Sequence, residues 1–571
     1  MRKPSCTPNV HRARANNSRA TVLLFSTTSS AICKDRRNPL KNVSPENASP
    51  KIARALVSVS DKSGLDTLAA ALVRHGVEII SSGGTLKYLA ERGIAATPIE
   101  KVTGNPECFG GRMKTLSFPV ASAILYRRGH ETDEAEAATL NIRAIDLVVC
   151  NLYPFESVAK TNPAEDVLIE NIDIGGPTLI RAAAKNHADV TVITAPAQYA
   201  ALIDDMDAHQ GATSFALRQR MALAAFRHTA RYDGMIAAKL EDLWQAEGRT
   251  IVITPESGTA LRYGENPHQS SHVHADPFHA GIAGAAPLQG KELSYNNLLD
   301  ADAAWRSCGD AALVAPTALP ATVSIIKHLS PCGVAAAATP MQALEMAWAG
   351  DPVSSFGGIL AFNKAVDADI AAWLQDRFVE VIVAPAYSAE ALALFAKKPN
   401  LRLLCLPVYD GSYKQPMVRS ISGGYVVQQE DTGADADFKP ATANPFPADK
   451  SALARFGVMA CKHLKSNAIG LFSESAAGMS MIGAGMGNPN RLVSMKQAVE
   501  KAHENGHADL KDCVLVSDAF FPFADNIGIA AAAGIRYIVQ PGGSVKDKDV
   551  IKACEEQDIS MAFTGRRHFR H

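Results

Sequence analysis

The stretch from Ala53 to Arg92 limits the possible folds more than any other part of the chain. Ala55-Leu56-Val57-Ser58-Val59 is a short β-type run, and Asp61-Lys62-Ser63-Gly64 breaks it. Leu65, Leu68, Ala69, Leu72 and Val73 then recur at i, i+3, i+4, i+7 and i+8, which marks one face of a helix. Val77-Glu78-Ile79-Ile80 repeats the strand, Ser81-Ser82-Gly83-Gly84-Thr85 repeats the turn, and a second helix runs to about Arg92. Strand, turn and helix twice in succession predict a parallel α/β sheet. Further strands are expected at Asp146-Val149 and Val190-Thr194, and a long helix over 214–247. Gly248, Pro255 and Gly258 crowd together over 248–260, as at a domain boundary. Beyond it a second α/β region has strand-like runs at Ala321-Ile326, Ile359-Phe362, Val379-Ala384, Val514-Ser517 and Tyr537-Gln540. Residues 407–450 are Pro/Gly/Asp-rich and read as a surface excursion. No internal repeat is visible. The expected organisation is a leader over 1–50, one domain over 51–250 and another over 251–571.

Composition narrows the function classes. The chain has 571 residues, 47% hydrophobic and 20% charged, which fits two to four globular domains. Lys+Arg number 57 and Asp+Glu 58, so a chain-wide basic grip on nucleic acid is not expected. No run of about 18 apolar residues predicts a membrane span. Residues 1–50 hold nine Lys/Arg against only Asp35 and Glu46 and are Ser-rich. Such a segment reads as a transit peptide for a mitochondrion or plastid, or as a disordered extension of a cytoplasmic protein. The ten cysteines are scattered with no C-x-x-C pair, which points to reduced thiols and away from a Cys-based zinc site.

The chemistry gathers at the turns. Ser58-Val59-Ser60-Asp61-Lys62-Ser63-Gly64 offers helix-start amides, hydroxyls and one Lys to a phosphate; a plain capped turn is the alternative. Ser82-Gly83-Gly84-Thr85 allows close backbone approach, and turns at the carboxyl ends of neighbouring parallel strands share one crevice. Gly110-Gly111-Arg112-Met113-Lys114-Thr115 presents two cations to an anionic oxygen or to solvent. Cys150-Asn151-Leu152-Tyr153-Pro154 follows an apolar strand with an amide donor and a phenol. Asp173-Ile174-Gly175-Gly176-Pro177 leads into a helix with Arg181 and Lys185 on one face. In the second region, Ile325-Ile326-Lys327-His328-Leu329-Ser330-Pro331-Cys332-Gly333 ends a strand in a turn. There an imidazole can take a proton and the adjacent ammonium can stabilise an oxyanion. Pro331-Cys332 lacks the second Cys of the zinc deaminases, and no phosphate-loop or dinucleotide glycine motif is present.

Taken in order from Ala53 to His571, these motifs resemble one family, the bifunctional AICAR transformylase / IMP cyclohydrolases of purine biosynthesis. Ser58-Gly64, Ser82-Thr85, Gly111-Leu116, Asn151-Pro154, Ile172-Gly176 and Ala183-His187 resemble its cyclohydrolase half. Arg262-Gln269, Lys327-Gly333, Ser355-Gly358, Ser517-Phe523 and Arg567-His571 resemble its transformylase half. The resemblance implies a methylglyoxal-synthase-like N-terminal domain. It also implies a duplicated cytidine-deaminase-like α/β region without zinc, whose active site forms across a homodimer. It implies formyl transfer from 10-formyltetrahydrofolate to AICAR, then dehydrative closure of formyl-AICAR to IMP. The partners are these nucleotides and the reduced folate, with no metal, nucleic acid or membrane.

By the same resemblance, His328 would assist deprotonation of the AICAR amine, Lys327 would stabilise the oxyanion, and Asn467 would orient the formyl oxygen or the amine. Arg262, Tyr263, Arg491 and Arg567 would hold AICAR, with Gly357, Glu380, Phe520 and Asp525 near nucleotide or folate. For ring closure, Lys114 would stabilise the oxyanion while Tyr153, Asp173 and Lys185 move protons. Ser58, Ser60, Lys62, Ser82, Gly83, Gly84, Thr85, Arg112 and Thr115 would cradle the ribose phosphate, with Asn151, Ile174 and Gly175 against the substrate. Two departures stand out. Ser117 and Ala121 replace histidines usual in the family, and Asn488 replaces a usual Gln. A monofunctional transformylase with an impaired cyclohydrolase is the alternative expectation; a non-catalytic nucleotide-binding scaffold is a third.

Overall fold

The computed structural model describes residues 22–24, 51–246, 250–254, 258–412, 416–433 and 438–571. The leader thus lies outside the described residues, apart from Val22–Leu24, which pairs in parallel with Ile251–Ile253. Contacts divide the chain into two units, Met1–Ser257 and Gly258–His571.

The first unit is built on five strands: β1 (Arg54–Val59), β2 (Glu78–Ser81), β3 (Thr97–Pro98), β4 (Leu147–Asn151) and β5 (Thr191–Ile193). They lie in the order β3-β2-β1-β4-β5, and every pairing is parallel. β1 is central and buried on both faces, which is why its apolar run barely alternates. Helix α1 (Leu65–Arg74) buries Leu65, Leu68, Ala69 and Leu72. Val73, the i+8 member of the predicted face, is 55% exposed, because a 3.6-residue period has rotated it off the stripe. Helices α2 (Gly83–Ala90), α3 (Phe118–Leu125), α4 (Gly175–Lys185) and α5 (Phe215–Leu243) complete the unit's main elements. The strand order reverses between β1 and β4, so the carboxyl ends of those strands open onto the crevice where such sheets bind ligands.

The second unit holds an eleven-stranded mixed sheet. Its first half runs α6 (Tyr295–Val314), β6 (Ala321–Lys327), β7 (Ser330–Ala337), α7 (Pro340–Ala349), β8 (Ile359–Phe362), β9 (Val381–Ala384) and β10 (Arg402–Cys405). After β11 (Lys439–Pro440), its second half runs α8 (Ser451–Cys461), β12 (Ile469–Ser475), β13 (Gly478–Gly485), α9 (Arg491–Glu504), β14 (Val514–Ser517), α10 (Asp525–Ala532), β15 (Tyr537–Gln540) and β16 (Ser560–Phe563). The order is β10-β9-β8-β6-β7-β13-β12-β14-β15-β16-β11.

The two halves repeat one plan. Each has an antiparallel hairpin whose first strand pairs antiparallel with the first of three parallel strands. The register breaks at Ile325/Ile326 in one hairpin and at Leu471/Phe472 in the other. Gly333 and Gly483 occupy matching places; a Cβ on either would run into the backbone of the following helix, at Ala347 or Ala498. The halves join antiparallel through β7 and β13, with Ala335 opposite Ser480. Lys327 at the end of β6, Ser330 at the start of β7, Gly485 at the end of β13, Ile469 at the start of β12 and Ser517 at the end of β14 therefore lie along one edge of the sheet. Within the 407–450 stretch, Met417–Ile421 and Gly424–Gln428 form an exposed hairpin.

Candidate active sites

In the first unit the predicted turns converge at the β1/β4 switch point. The Asn151 Oδ1 accepts from the amides of Ser60 (2.6 Å) and Asp61 (2.9 Å), and its Nδ2 donates to Asp61 O. This fixes the Ser58–Lys62 turn, so the Asn151 amide is engaged by the loop. Thr85 Oγ1 donates to Val59 O and accepts from Val59 N, which ties the β2–α2 turn to β1. Gly83 has φ +49°, and Lys114 Nζ lies close above it, where a Cβ would push that flexible side chain aside. Gly84 faces Lys62 Nζ. The two cations of the diglycine loop are paired: Lys114 with Glu107 at 2.8 Å and Arg112 with Glu170.

The Asp173 turn closes the other side. Asp173 N donates to Tyr232 Oη at 2.8 Å, and its Oδ1 accepts from Gly176 N at 2.8 Å. A Cβ on Gly176 would lie 2.6 Å from the Asp173 carboxylate and 2.6 Å from Leu152, and one on Gly175 would lie 2.8 Å from Thr115 Oγ1. The paired glycines thus bring Asp173, Thr115 and the Leu152–Tyr153 segment together. Burial pushes the Asp173 carboxyl above its ordinary value, against the pull of the Gly176 and Tyr153 amides. Tyr153 and Ile174 are exposed at the rim. Ser117 caps α3 by accepting from Val120 N. Lys185 does not join this group. It ends α4, whose first residue is Gly175, about 15 Å away along the axis at 1.5 Å per residue.

In the second unit Lys327 and His328 sit at the tip of the β6–β7 hairpin. His328 and Leu329 are its two turn residues, with φ of 53° and 66°. Two successive positive φ values are what a tight hairpin requires, and they strain side chains other than Gly or Asn. Asp300, on α6, holds the turn: its carboxylate accepts from Leu329 N at 2.7 Å and His328 N at 3.2 Å. Burial raises the Asp300 carboxyl, and those two amides oppose the shift. Lys327 Nζ donates to Phe356 O at 2.8 Å, next to Gly357, whose φ is +76° and whose amide donates to Phe378 O. Glu380 accepts from Asn297 Nδ2 at 2.8 Å. Glu380, Phe378, Arg402 and Arg262 line a cavity of about 490 Å³. Arg262 Nη2 donates to Tyr263 Oη.

The remaining candidates form a second cluster on the same sheet edge. Asn467 Nδ2 donates to Asn488 O at 2.9 Å. Asn488 uses its own amide on Met486, Ser494 and Gln497. Arg491 Nη2 lies 2.8 Å from Asp518 Oδ1, and its Nη1 donates to Phe520 O. Asp525 opens α10 and Arg567 lies in the last segment of the chain, its guanidinium 4.3 Å from the Phe569 ring centroid. The structure does not bring the two clusters together within one chain. β7 and β13 lie between β6 and β12, so three strand spacings, about 14 Å, separate Lys327 from Asn467.

Sequence reading missed the residues that hold these groups in place. Asp300 stands mid-helix with no turn signal, whereas Ser466 and Asp518 fall inside polar turns that the sequence does mark but assigns no role. Lys462-His463 repeats the Lys-His-Leu letters of the hairpin tip but is buried. Among the described residues, no group of three or more His, Cys, Asp or Glu is placed to hold a metal ion, and no helix is long and apolar enough to cross a membrane.

Comparison with known proteins agrees with both clusters of motifs. Residues 64–178 match the model of the MGS-like domain, and residues 183–501 match that of the AICARFT/IMPCHase bienzyme. The bifunctional purine biosynthesis protein PurH of Halalkalibacterium halodurans is 44% identical over 525 residues, covering 91% of this chain and 99% of that protein. Its counterpart in Synechococcus elongatus is 45% identical over 523 residues, covering 90% and 99%. This chain belongs to the bifunctional PurH family. It is an enzyme with two activities, AICAR formyltransferase and IMP cyclohydrolase, and the bifunctional reading stands over the monofunctional one. The methylglyoxal-synthase-like expectation for the first domain holds. A crystal structure of ForH aligns with a TM-score of 0.30 at 32% identity, covering 34% of this chain and 99% of that one.

Proposed function

We propose that the Lys327-His328 tip carries formyl transfer from 10-formyltetrahydrofolate to AICAR, and that the β1/β4 crevice then closes the ring. The observation that carries the first half is the Asp300-locked turn, which fixes Lys327 and His328 in succession where the strands of the sheet end. The AICAR amine is a weak nucleophile because its lone pair is delocalised. As it attacks the formyl carbon, His328 takes its proton and Lys327 stabilises the tetrahedral oxyanion. The bond from carbon to the folate nitrogen then breaks, and that nitrogen receives a proton from the Lys327/His328 pair. Arg262, Tyr263, Gly357 and Glu380 hold the nucleotide on the same cluster.

Asn467 stands three strand spacings from that tip in the same chain, and Arg491, Phe520, Asp525 and Arg567 belong to its side of the sheet. In the proposed arrangement they serve the tip of a second copy, so that a homodimer completes each site. In the first unit, the Ser58–Lys62 and Ser82–Thr85 turns with Arg112 and Thr115 bind the ribose phosphate. The carboxamide nitrogen attacks the formyl carbon beside Lys114. The formyl oxygen leaves as water, taking one proton lost by the carboxamide nitrogen and one lost by the formamido nitrogen, passed through Asp173 and Tyr153. Burial shifts the Asp173 carboxyl upward, the direction that suits a group passing protons. Holding both reacting groups in one crevice supplies much of the acceleration.

The test is a two-stage assay with wild type, Lys327→Ala and Lys114→Ala. Wild type is expected to convert AICAR and 10-formyltetrahydrofolate to IMP. Lys327→Ala is expected to lose formyl transfer by about 100-fold or more yet close supplied formyl-AICAR normally, and Lys114→Ala is expected to do the reverse. Loss of both activities in either variant would refute the division of labour, and slow ring closure by wild type would restore the impaired-cyclohydrolase reading that Ser117 and Ala121 motivate.

A further inference from the structure

Behind the second cluster lies a buried polar chain to which nothing above assigns a task. Asp310 on α6, Lys462 and His463 are 4%, 7% and 6% exposed. His463 Nε2 lies 2.8 Å from Asp310 Oδ2, and Lys462 Nζ lies 2.8 Å from the same oxygen. Arg570 Nη1 lies 3.2 Å from His463 Nδ1 and donates to His463 O at 3.1 Å. A guanidinium cannot accept a hydrogen bond, so Nδ1 must be the acceptor and Nε2 carries the proton toward Asp310. The imidazole is therefore neutral and is held in one tautomer from both sides.

The backbone of Arg570 passes this order on. Its N–H donates to Ser466 Oγ at 3.1 Å, and Ser466 N donates to Arg570 O at 2.9 Å. Ser466 Oγ donates in turn to Asp518 Oδ2 at 2.5 Å, and Asp518 Oδ1 accepts from Arg491. His568 N donates to Asp518 O at 3.0 Å. The Arg491 Nε, buried, has no partner within the described residues, so the end of the chain presents a free donor.

An apolar trio would fill the space at Asp310, Lys462 and His463 without desolvating charge. It would not fix the Arg570 side chain, and hence not the line of the backbone beside Ser466. We infer that Asp310, His463 and Arg570 form a relay of positioning residues that sets the Ser466–Asn467 strand entry, Arg491 and Arg567 for nucleotide binding. The inference rests on the roles proposed above for Asn467, Arg491 and Arg567.

The test measures steady-state formyl transfer in the full chain for His463→Leu, Arg570→Met, the double variant and His463→Gln. The Gln amide can donate to Asp310 and accept from Arg570. His463→Leu and Arg570→Met are each expected to raise KM for AICAR about tenfold with kcat within twofold, and the double variant no further. His463→Gln is expected to recover KM to within about twofold of wild type. Circular dichroism and urea unfolding of the same preparations report folding of the second unit, and ring closure of supplied formyl-AICAR, carried by the first unit, should not change. If His463→Leu does not fold, Arg570→Met and His463→Gln decide the matter alone. An unchanged KM in Arg570→Met, additive effects, or equal losses in His463→Leu and His463→Gln would overturn the relay. Wild type that makes no formyl-AICAR would instead overturn the underlying assignment.

Discussion

His328 and His463 share the tripeptide Lys-His-Leu and have opposite environments. One stands on an exposed turn with positive φ, held by its own amide to Asp300. The other is buried between Asp310 and Arg570 with Lys462 beside it, and burial drops its pKa from 6.5 to about 4. The sign of the linkage follows. Between those values the unfolded chain binds a proton that the folded one refuses, so stability is fully present above pH 6.5 and is lost as pH falls toward 4. Urea unfolding of the second unit is therefore expected to shift to lower midpoint between pH 7 and pH 5. That part of the shift should vanish in His463→Gln, while the carboxylates keep their own contribution at lower pH. An identical pH dependence in that variant would contradict a neutral, buried His463. Sequence could name Lys327 and His328 because an apolar strand runs out there, although Pro331 and Gly333, read as its turn, lie inside β7 and the turn is His328-Leu329. It could not tell which Lys-His pair was buried, since that depends on α6 and the Arg570 segment, far away in sequence.

At the scale of elements, several strands were legible because fully buried strands are unbroken apolar runs: Ile359–Phe362, Val514–Ser517 and Tyr537–Gln540 form as read. The hairpins were not, because His328-Leu329 lacks the Gly or Asn that marks a tight turn and is held by a distant carboxylate instead. The duplication was hidden for a related reason. The halves share strand order, register breaks and the close helix approach at Gly333 and Gly483, and these constrain backbone far more than they constrain side chains. That close approach predicts a contrast. Gly333→Ala is expected to destabilise the second unit by about 2 kcal/mol or more, because helix α7 must move. Gly528→Ala, on the exposed face of α10 with nothing within 4 Å, is expected to stabilise by about 0.5–1 kcal/mol. Equal effects in chemical denaturation would mean that α7 does not pack as described.

At the scale of the molecule, the motifs of the first unit fall around one crevice, except Lys185 at the far end of its helix. The motifs of the second fall into two clusters about 14 Å apart on one sheet edge. Sequence order gave no sign of that gap, because distance across a sheet depends on strand order and not on spacing along the chain. In the proposed arrangement one copy's Lys327-His328 tip works against another copy's Asn467 and Arg491. Mixing inactive Lys327→Ala and Asn467→Ala proteins, after dissociation and reassociation, tests this most directly. Half of a random mixture is mixed dimer with one intact site, so about a quarter of wild-type formyl transfer should return. A mixture as inactive as its components would contradict a site shared between two copies.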